Sequence, residues 1–81
     1  MLVTAEFTIE PFVEGSPGPH VLAGLDAVRA AGLEPDLGPF GSTVTGELET
    51  VTQAVTALLT AATTAGASRI SLQVSRTTDG G

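Results

Sequence analysis

The stretch Gly38-Pro39-Phe40-Gly41-Ser42-Thr43-Val44-Thr45-Gly46-Glu47 lies at the centre of an 81-residue chain and decides how its two halves connect. Gly38, Pro39 and Gly41 are the residues of a tight reversal, Ser42 to Thr45 reads as a short β-run, and Gly46-Glu47 opens a helical pattern. Side chains alternate along a strand, so Thr43 and Thr45 point to one side and Val44 to the other. A strand before the reversal, a strand after it and a helix at once thereafter make half of a small domain.

Working outward, Val3, Ala5, Phe7 and Ile9 alternate with Thr4, Glu6, Thr8 and Glu10, the pattern of a strand with one buried face. Pro11 ends it, and Glu14-Gly15-Ser16-Pro17-Gly18-Pro19 is a loop leading into a helix. Pro19 suits the first helical position, where its missing N–H is not needed. Val21, Leu25 and Val28 recur at helical spacing and Gly32 is a natural C′ residue, which predicts a first helix over Pro19 to Ala31. Leu33 to Leu37 contains Pro35, which confines it to an edge strand.

The second helix is expected over Glu47 to Ala65, with Leu48, Val51, Val55, Leu58 and Ala62 as its apolar seam and Gly66 at C′. Glu47 and Glu49 in its first turn complement the helix dipole. Ile70, Leu72 and Val74 alternate with Ser71, Gln73 and Ser75 in a last strand, and Thr77 to Gly81 is expected to fray. The order β-α-β-β-α-β predicts a ferredoxin-like α+β sandwich over residues 1–76, a four-stranded antiparallel sheet with both helices on one face. Its first strand lies between the third and the fourth. Glu6, Thr8, Glu10, Thr43, Thr45, Ser71, Gln73 and Ser75 then share the other face, which is either solvated, covered by another subunit, or the seat of a small polar ligand.

Composition narrows the chemistry. The formal charge is −6, with Arg29, Arg69 and Arg76 as the only cationic side chains, so no basic patch for nucleic acid can be assembled. The absence of cysteine removes disulfides, thiolate metal sites and a cysteine nucleophile, and the absence of lysine removes Schiff-base chemistry and a P-loop lysine. Thr50 to Ser68 is uncharged, but its threonines and Gln53 interrupt it too often for a membrane span of roughly 20 apolar residues. Met1 to Glu6 lacks the basic and long apolar regions of a secretory signal, so a cytoplasmic location is expected. A single domain of this size buries only about 60% of its unfolded surface, which makes self-association an expectation.

Glu6 and Glu10, four residues apart on one strand, have the chemistry of an acid/base pair or a metal site, but no third catalytic group accompanies them. His20 is the only histidine, stands in the first turn of a helix, and reads as a surface residue without metal-ligating companions. The glycine-proline loop before the first helix lacks the spacing of a phosphate cradle and reads as a turn. Thr52, Thr56, Thr60 and Thr63 form an uncharged polar stripe on the second helix, either an exposed face or a helix-helix interface. Copper chaperones, RNA-recognition motifs and acylphosphatases share this predicted fold, but the paired cysteines, sheet aromatics and arginine-containing phosphate loop that they need are missing.

The chain resembles the small thiamine-binding family of ferredoxin-like proteins, through Glu6-Phe7-Thr8-Ile9-Glu10-Pro11, the central Gly38-to-Glu47 stretch, and Ala65-Gly66-Ala67-Ser68-Arg69-Ile70. That family usually carries Gly-Thr-x-apolar-Glu-Gly where this chain has Gly41-Ser42-Thr43-Val44-Thr45-Gly46, so Thr45 stands in place of a glutamate. The resemblance implies a non-catalytic protein, without cofactor or metal, that binds thiamine or its hydroxymethylpyrimidine half and assembles as a homotetramer. An aminopyrimidine is then expected beside the first and third strands, with Glu6 as its charged partner and Thr8, Thr43 and Thr45 on the same face. The alternatives are a structural or regulatory homo-oligomer with no retained ligand and a small enzyme of the dimeric αβ-barrel kind.

Overall fold

The computed structural model describes residues 1–12, 15, 17–38 and 41–77. Its elements follow in the order β1 (Leu2–Glu10), α1 (Pro19–Ala30), β2 (Asp36–Leu37), β3 (Ser42–Glu47), α2 (Leu48–Thr64) and β4 (Arg69–Arg76). The strands form one antiparallel sheet in the order β2-β3-β1-β4, and the fold is the ferredoxin-like sandwich that the sequence predicts. β1 lies in the middle and pairs from Leu2 to Phe7 with β3 on one side and from Val3 to Glu10 with β4 on the other, Glu6 facing Thr43 and Gln73.

The alternation of β1 is what holds the layers together. Val3, Ala5, Phe7 and Ile9 are buried and meet Val44 of β3, Leu25 and Val28 of α1, and Val51, Ala54, Leu58 and Ala62 of α2 in one core, with no buried polar side chain among the described residues. Gly24 of α1 lets the layers approach closely, since a Cβ there would stand 2.7 Å from Ile9 Cδ1 and 2.8 Å from Leu58 Cδ1. Two details of the expected seam change. Leu48 is 43% exposed and Val55 half-buried, while Ala54 is fully buried. The reason is that α2 leaves β3 without a connecting loop, so its first residue overhangs the sheet and the packed face runs through Val51, Ala54, Leu58 and Ala62. Val74 falls on the apolar side of β4 as expected but stays 50% exposed, because the buried helical side chains centre on β1 and β3.

Both helices stop in the same way. Gly32 (φ +97°) and Gly66 (φ +111°) take the left-handed conformation after each C-cap. The N–H of Leu33 then returns to the Val28 carbonyl at 3.3 Å and that of Ala67 to the Ala62 carbonyl at 2.9 Å, the bonds of the Schellman motif. The first helix starts at Pro19 behind Gly18, without a side-chain cap. The His20 ring instead binds the Pro11 carbonyl at 2.5 Å and ties the helix start to the end of β1. It lies so close over Gly18 that a Cβ there would be 2.6 Å from the ring.

The Pro35 segment yields a strand of two residues, Asp36–Leu37, at the sheet edge. The reversal after it closes with the Gly38 N–H donating to the Gly41 carbonyl at 2.7 Å; Pro39 and Phe40 lie outside the described residues. So do residues 13, 14 and 16 of the loop before α1, and 78–81 of the expected tail. Thr77, expected to fray with them, is held by hydrogen bonds to the Leu2 carbonyl and the Thr4 hydroxyl at 2.9 and 2.7 Å. No helix among the described residues is long and apolar enough to cross a membrane. Leu58 is fully buried at the meeting point of both helices and β1. Leu58→Ala should lower unfolding stability by about 2–5 kcal/mol in chemical denaturation, the cost of a cavity in a core with little to collapse into it.

Candidate functional site

The face of the sheet away from the helices carries the even-numbered residues of β1. Glu6 is exposed, with Thr43 of β3 and Gln73 of β4 as its direct cross-strand neighbours, and Thr8 stands opposite Ser71. Pairing of β1 with β3 stops at Phe7 and Ser42, and β3 begins its run from Gly41. There the two chains press together, since a Cβ on Gly41 would be 3.0 Å from the Phe7 carbonyl and from the Thr8 methyl. The result is a depression of about 340 Å³ lined by Glu6, Phe7, Thr8, Gly41, Ser42, Thr43, Ser71 and Gln73.

The depression holds one formal charge, that of Glu6, which makes no ion pair among the described residues. Glu10, two pleat repeats away, approaches the Arg69 guanidinium at 3.7 Å across both exposed side chains. The pair of carboxylates read from the sequence is thus split into one answered charge and one open one. Hydroxyls and an amide surround the open carboxylate, so the site offers donors and acceptors to a planar polar ligand and favours a cationic one. Among the described residues no group of His, Asp and Glu is placed to hold a metal ion.

Of the four residues expected at the ligand, Glu6, Thr8 and Thr43 line the depression. Thr45 shares their face but sits beside Thr4, about 7 Å along the strand from Thr43. Its hydroxyl is engaged with that of Thr4 at 2.9 Å, and Thr4 in turn with Thr77. Gly41, Ser42, Ser71 and Gln73 join the lining in a way that periodicity alone could not specify, because it assigns a face but not a register. The threonine stripe of α2 is exposed on the single chain, and the hydroxyls of Thr52, Thr56 and Thr60 bond back to the carbonyls four residues earlier at 2.7, 3.0 and 3.1 Å.

A second concavity, about 310 Å³, opens on the helix side of the same strand end. Phe12, Val21, Leu22, Leu25 and Leu37 give it apolar walls, and among the described residues Arg29 is its one charged lining residue. Its apolar walls suit an uncharged apolar group.

The sequence profile of the family described as thiamine-binding protein matches residues 5–79, nearly the whole chain. The chain belongs to that family. Membership indicates a thiamine-related role and favours binding over catalysis. Among solved structures, the chain resembles a hypothetical protein from Methanocaldococcus jannascii (TM-score 0.71, 20% identity, 96% of this chain and 82% of that one). It also resembles a Thermotoga maritima protein provisionally described as a thiamine biosynthesis/salvage protein (TM-score 0.55, 25% identity, 93% and 81%). A domain of unknown function from Bacillus cereus matches at a TM-score of 0.58 and 23% identity over 91% and 72%. No curated protein sequence matches the chain significantly.

The Glu10–Arg69 pair is solvent-screened, so Arg69→Ala should change stability by less than about 1 kcal/mol in denaturant titration. A larger loss would mean that the pair fixes the strand ends.

Proposed function

We propose that this chain binds thiamine, or its hydroxymethylpyrimidine half, in the depression on the open face of the sheet, without turning it over. The observation that carries the reading is the unpaired carboxylate of Glu6 on the central strand, flanked by Thr43 and Gln73, in a chain of the thiamine-binding protein family. A protonated aminopyrimidine presents a ring N–H and an exocyclic amine side by side, which suits the two oxygens of one carboxylate. Thr8, Thr43 and Gln73 border that position and can accept from the amine or donate to the remaining ring nitrogen. The cationic thiazolium of thiamine would lie in the negative field of a chain with net charge −6.

The depression is a shallow dish, so a flat ring resting on it has one face open to solvent. A second copy laid over this polar face would cover the ring. The face is rich in neutral Thr, Ser and Gln groups that can hydrogen-bond across such a contact without stranding charge. This is how the homotetramer expected from the resemblance enters the proposal. No general base, nucleophile or metal is assigned, and Glu6 acts as a hydrogen-bonding counter-charge.

Thr45 favours a second reading, a structural or regulatory homo-oligomer without a ligand. It replaces a family glutamate, and its hydroxyl is engaged with Thr4. Calorimetry separates the two. The wild type should bind thiamine or hydroxymethylpyrimidine, and Glu6→Gln should weaken that binding by about 10–100-fold, the loss of one charge-assisted hydrogen bond worth about 1.5–3 kcal/mol. Unchanged affinity in Glu6→Gln eliminates the assignment, and no binding by the wild type at millimolar ligand leaves the ligand-free oligomer. Conversion of thiamine or its phosphates by the purified protein, lost in Glu6→Gln, would contradict the absence of turnover.

A further inference from the structure

Strand pairing carries the row of Glu6 across the whole sheet. Asp36 of β2 pairs with Thr43 of β3, Thr43 with Glu6 of β1, and Glu6 with Gln73 of β4. Directly paired residues of an antiparallel ladder project from one face, so Asp36 stands on the open face with Glu6. Its neighbour Leu37 lines the concavity on the helix side, as alternation requires. Asp36 is exposed and lies just beyond Thr43, outside the depression itself. Two strand spacings, about 10 Å, separate the Cα atoms of Glu6 and Asp36. Two other carboxylates of this face are answered by positive charge. Glu10 approaches Arg69 at 3.7 Å, and Glu47, on the same side of β3 as Thr43 and Thr45, is 3.1 Å from the Met1 amine. Glu6 and Asp36 make no ion pair among the described residues.

We infer that Asp36 is the binding residue for the thiazolium ring, so that the open face takes whole thiamine in preference to the hydroxymethylpyrimidine half. The inference rests on the seat proposed above for the aminopyrimidine at Glu6, and it gives the direction in which the rest of the ligand lies. In thiamine a single methylene carbon joins the pyrimidine to a thiazolium with a fixed positive charge, which the free pyrimidine lacks. From Glu6 the row leads one way to Gln73 and the sheet edge, where there is no charge. Along β1 the neighbours on this face are the neutral Thr4 and Thr8, and the carboxylate beyond Thr8 is already engaged by Arg69. The other way along the row leads over Thr43 to an open carboxylate. A thiazolium laid over Thr43 thus has Glu6 on one side and Asp36 on the other. Both carboxylates are exposed, so the added attraction is that of a solvated ion pair and is weakened by salt.

Calorimetry on the full chain at low ionic strength, with thiamine and hydroxymethylpyrimidine as separate probes, tests the assignment. Asp36→Asn should weaken thiamine binding by about 2–5-fold, the size of an exposed ion pair, and leave the pyrimidine unaffected. The loss should shrink as salt is raised. Glu49→Gln, in the first turn of α2, removes the same unit of charge away from the open face and should leave both affinities unchanged. An equal loss of thiamine affinity in Glu49→Gln and Asp36→Asn overturns the inference, because the net charge of the chain would then attract the ligand. An equal loss of both probes in Asp36→Asn overturns it too, since that marks a role in the shape of the edge. If Asp36→Asn binds thiamine as the wild type does while Glu6→Gln weakens both probes, the inference fails and the pyrimidine seat stands. If the wild type binds neither probe, both fail.

Discussion

Among the described residues β1 is the only strand with a neighbour along both sides for most of its length, and the core and the open face are both referred to it. Its odd-numbered side chains supply more of the core than any other strand, and its even-numbered side chains lay out the polar face, so core and candidate site are two readings of one period-2 pattern. A slip of one residue against β3 or β4 would turn Phe7 and Ile9 to water and Glu6 into the helices. The cost of burying that carboxylate and exposing those apolar groups is what pins the register. The position of Glu6 opposite Thr43 and Gln73 is thus a consequence of packing on the other side of the sheet.

Much of this was legible in the residues. The alternation from Val3 to Glu10, Pro19 behind a glycine-proline loop, and Gly32 and Gly66 after runs of helical spacing each have a direct conformational meaning, and each element appears where its signal places it. What could not be read is whatever depends on how far one element overlaps another. Leu48 has the right spacing for the α2 seam, yet it overhangs because the helix leaves β3 without a loop. Val74 has the alternation of a buried residue, yet the helices do not extend over it. The candidate site shows the same division. The face of Glu6, Thr8, Thr43 and Thr45 follows from parity, but the separation of Thr45 from the depression, and the entry of Ser71 and Gln73 into it, follow from registers that no single strand contains.

A low-charge surface recurs across the fold. The threonines of α2 turn their hydroxyls back onto their own helix, and the open sheet face answers one of its two glutamates with Arg69 and surrounds the other with hydroxyls and an amide. Without lysine, and with Arg29 and Arg69 in ion pairs with acidic neighbours among the described residues, little positive charge remains to compete for an anionic site. A chain so composed is suited to a small cationic ligand and to contacts with its own copies through neutral groups. It is poorly suited to phosphate-rich polymers.

The central claim is the location of the ligand, and a nuclear magnetic resonance titration of labelled wild-type protein with hydroxymethylpyrimidine tests it most directly. The account predicts shifts concentrated at the amides of Glu6, Thr8, Thr43, Ser71 and Gln73, with those of Val21, Leu22 and Leu25 little changed. Shifts concentrated instead at Val21, Leu22 and Leu25 would place the ligand in the apolar concavity beside α1 and contradict it.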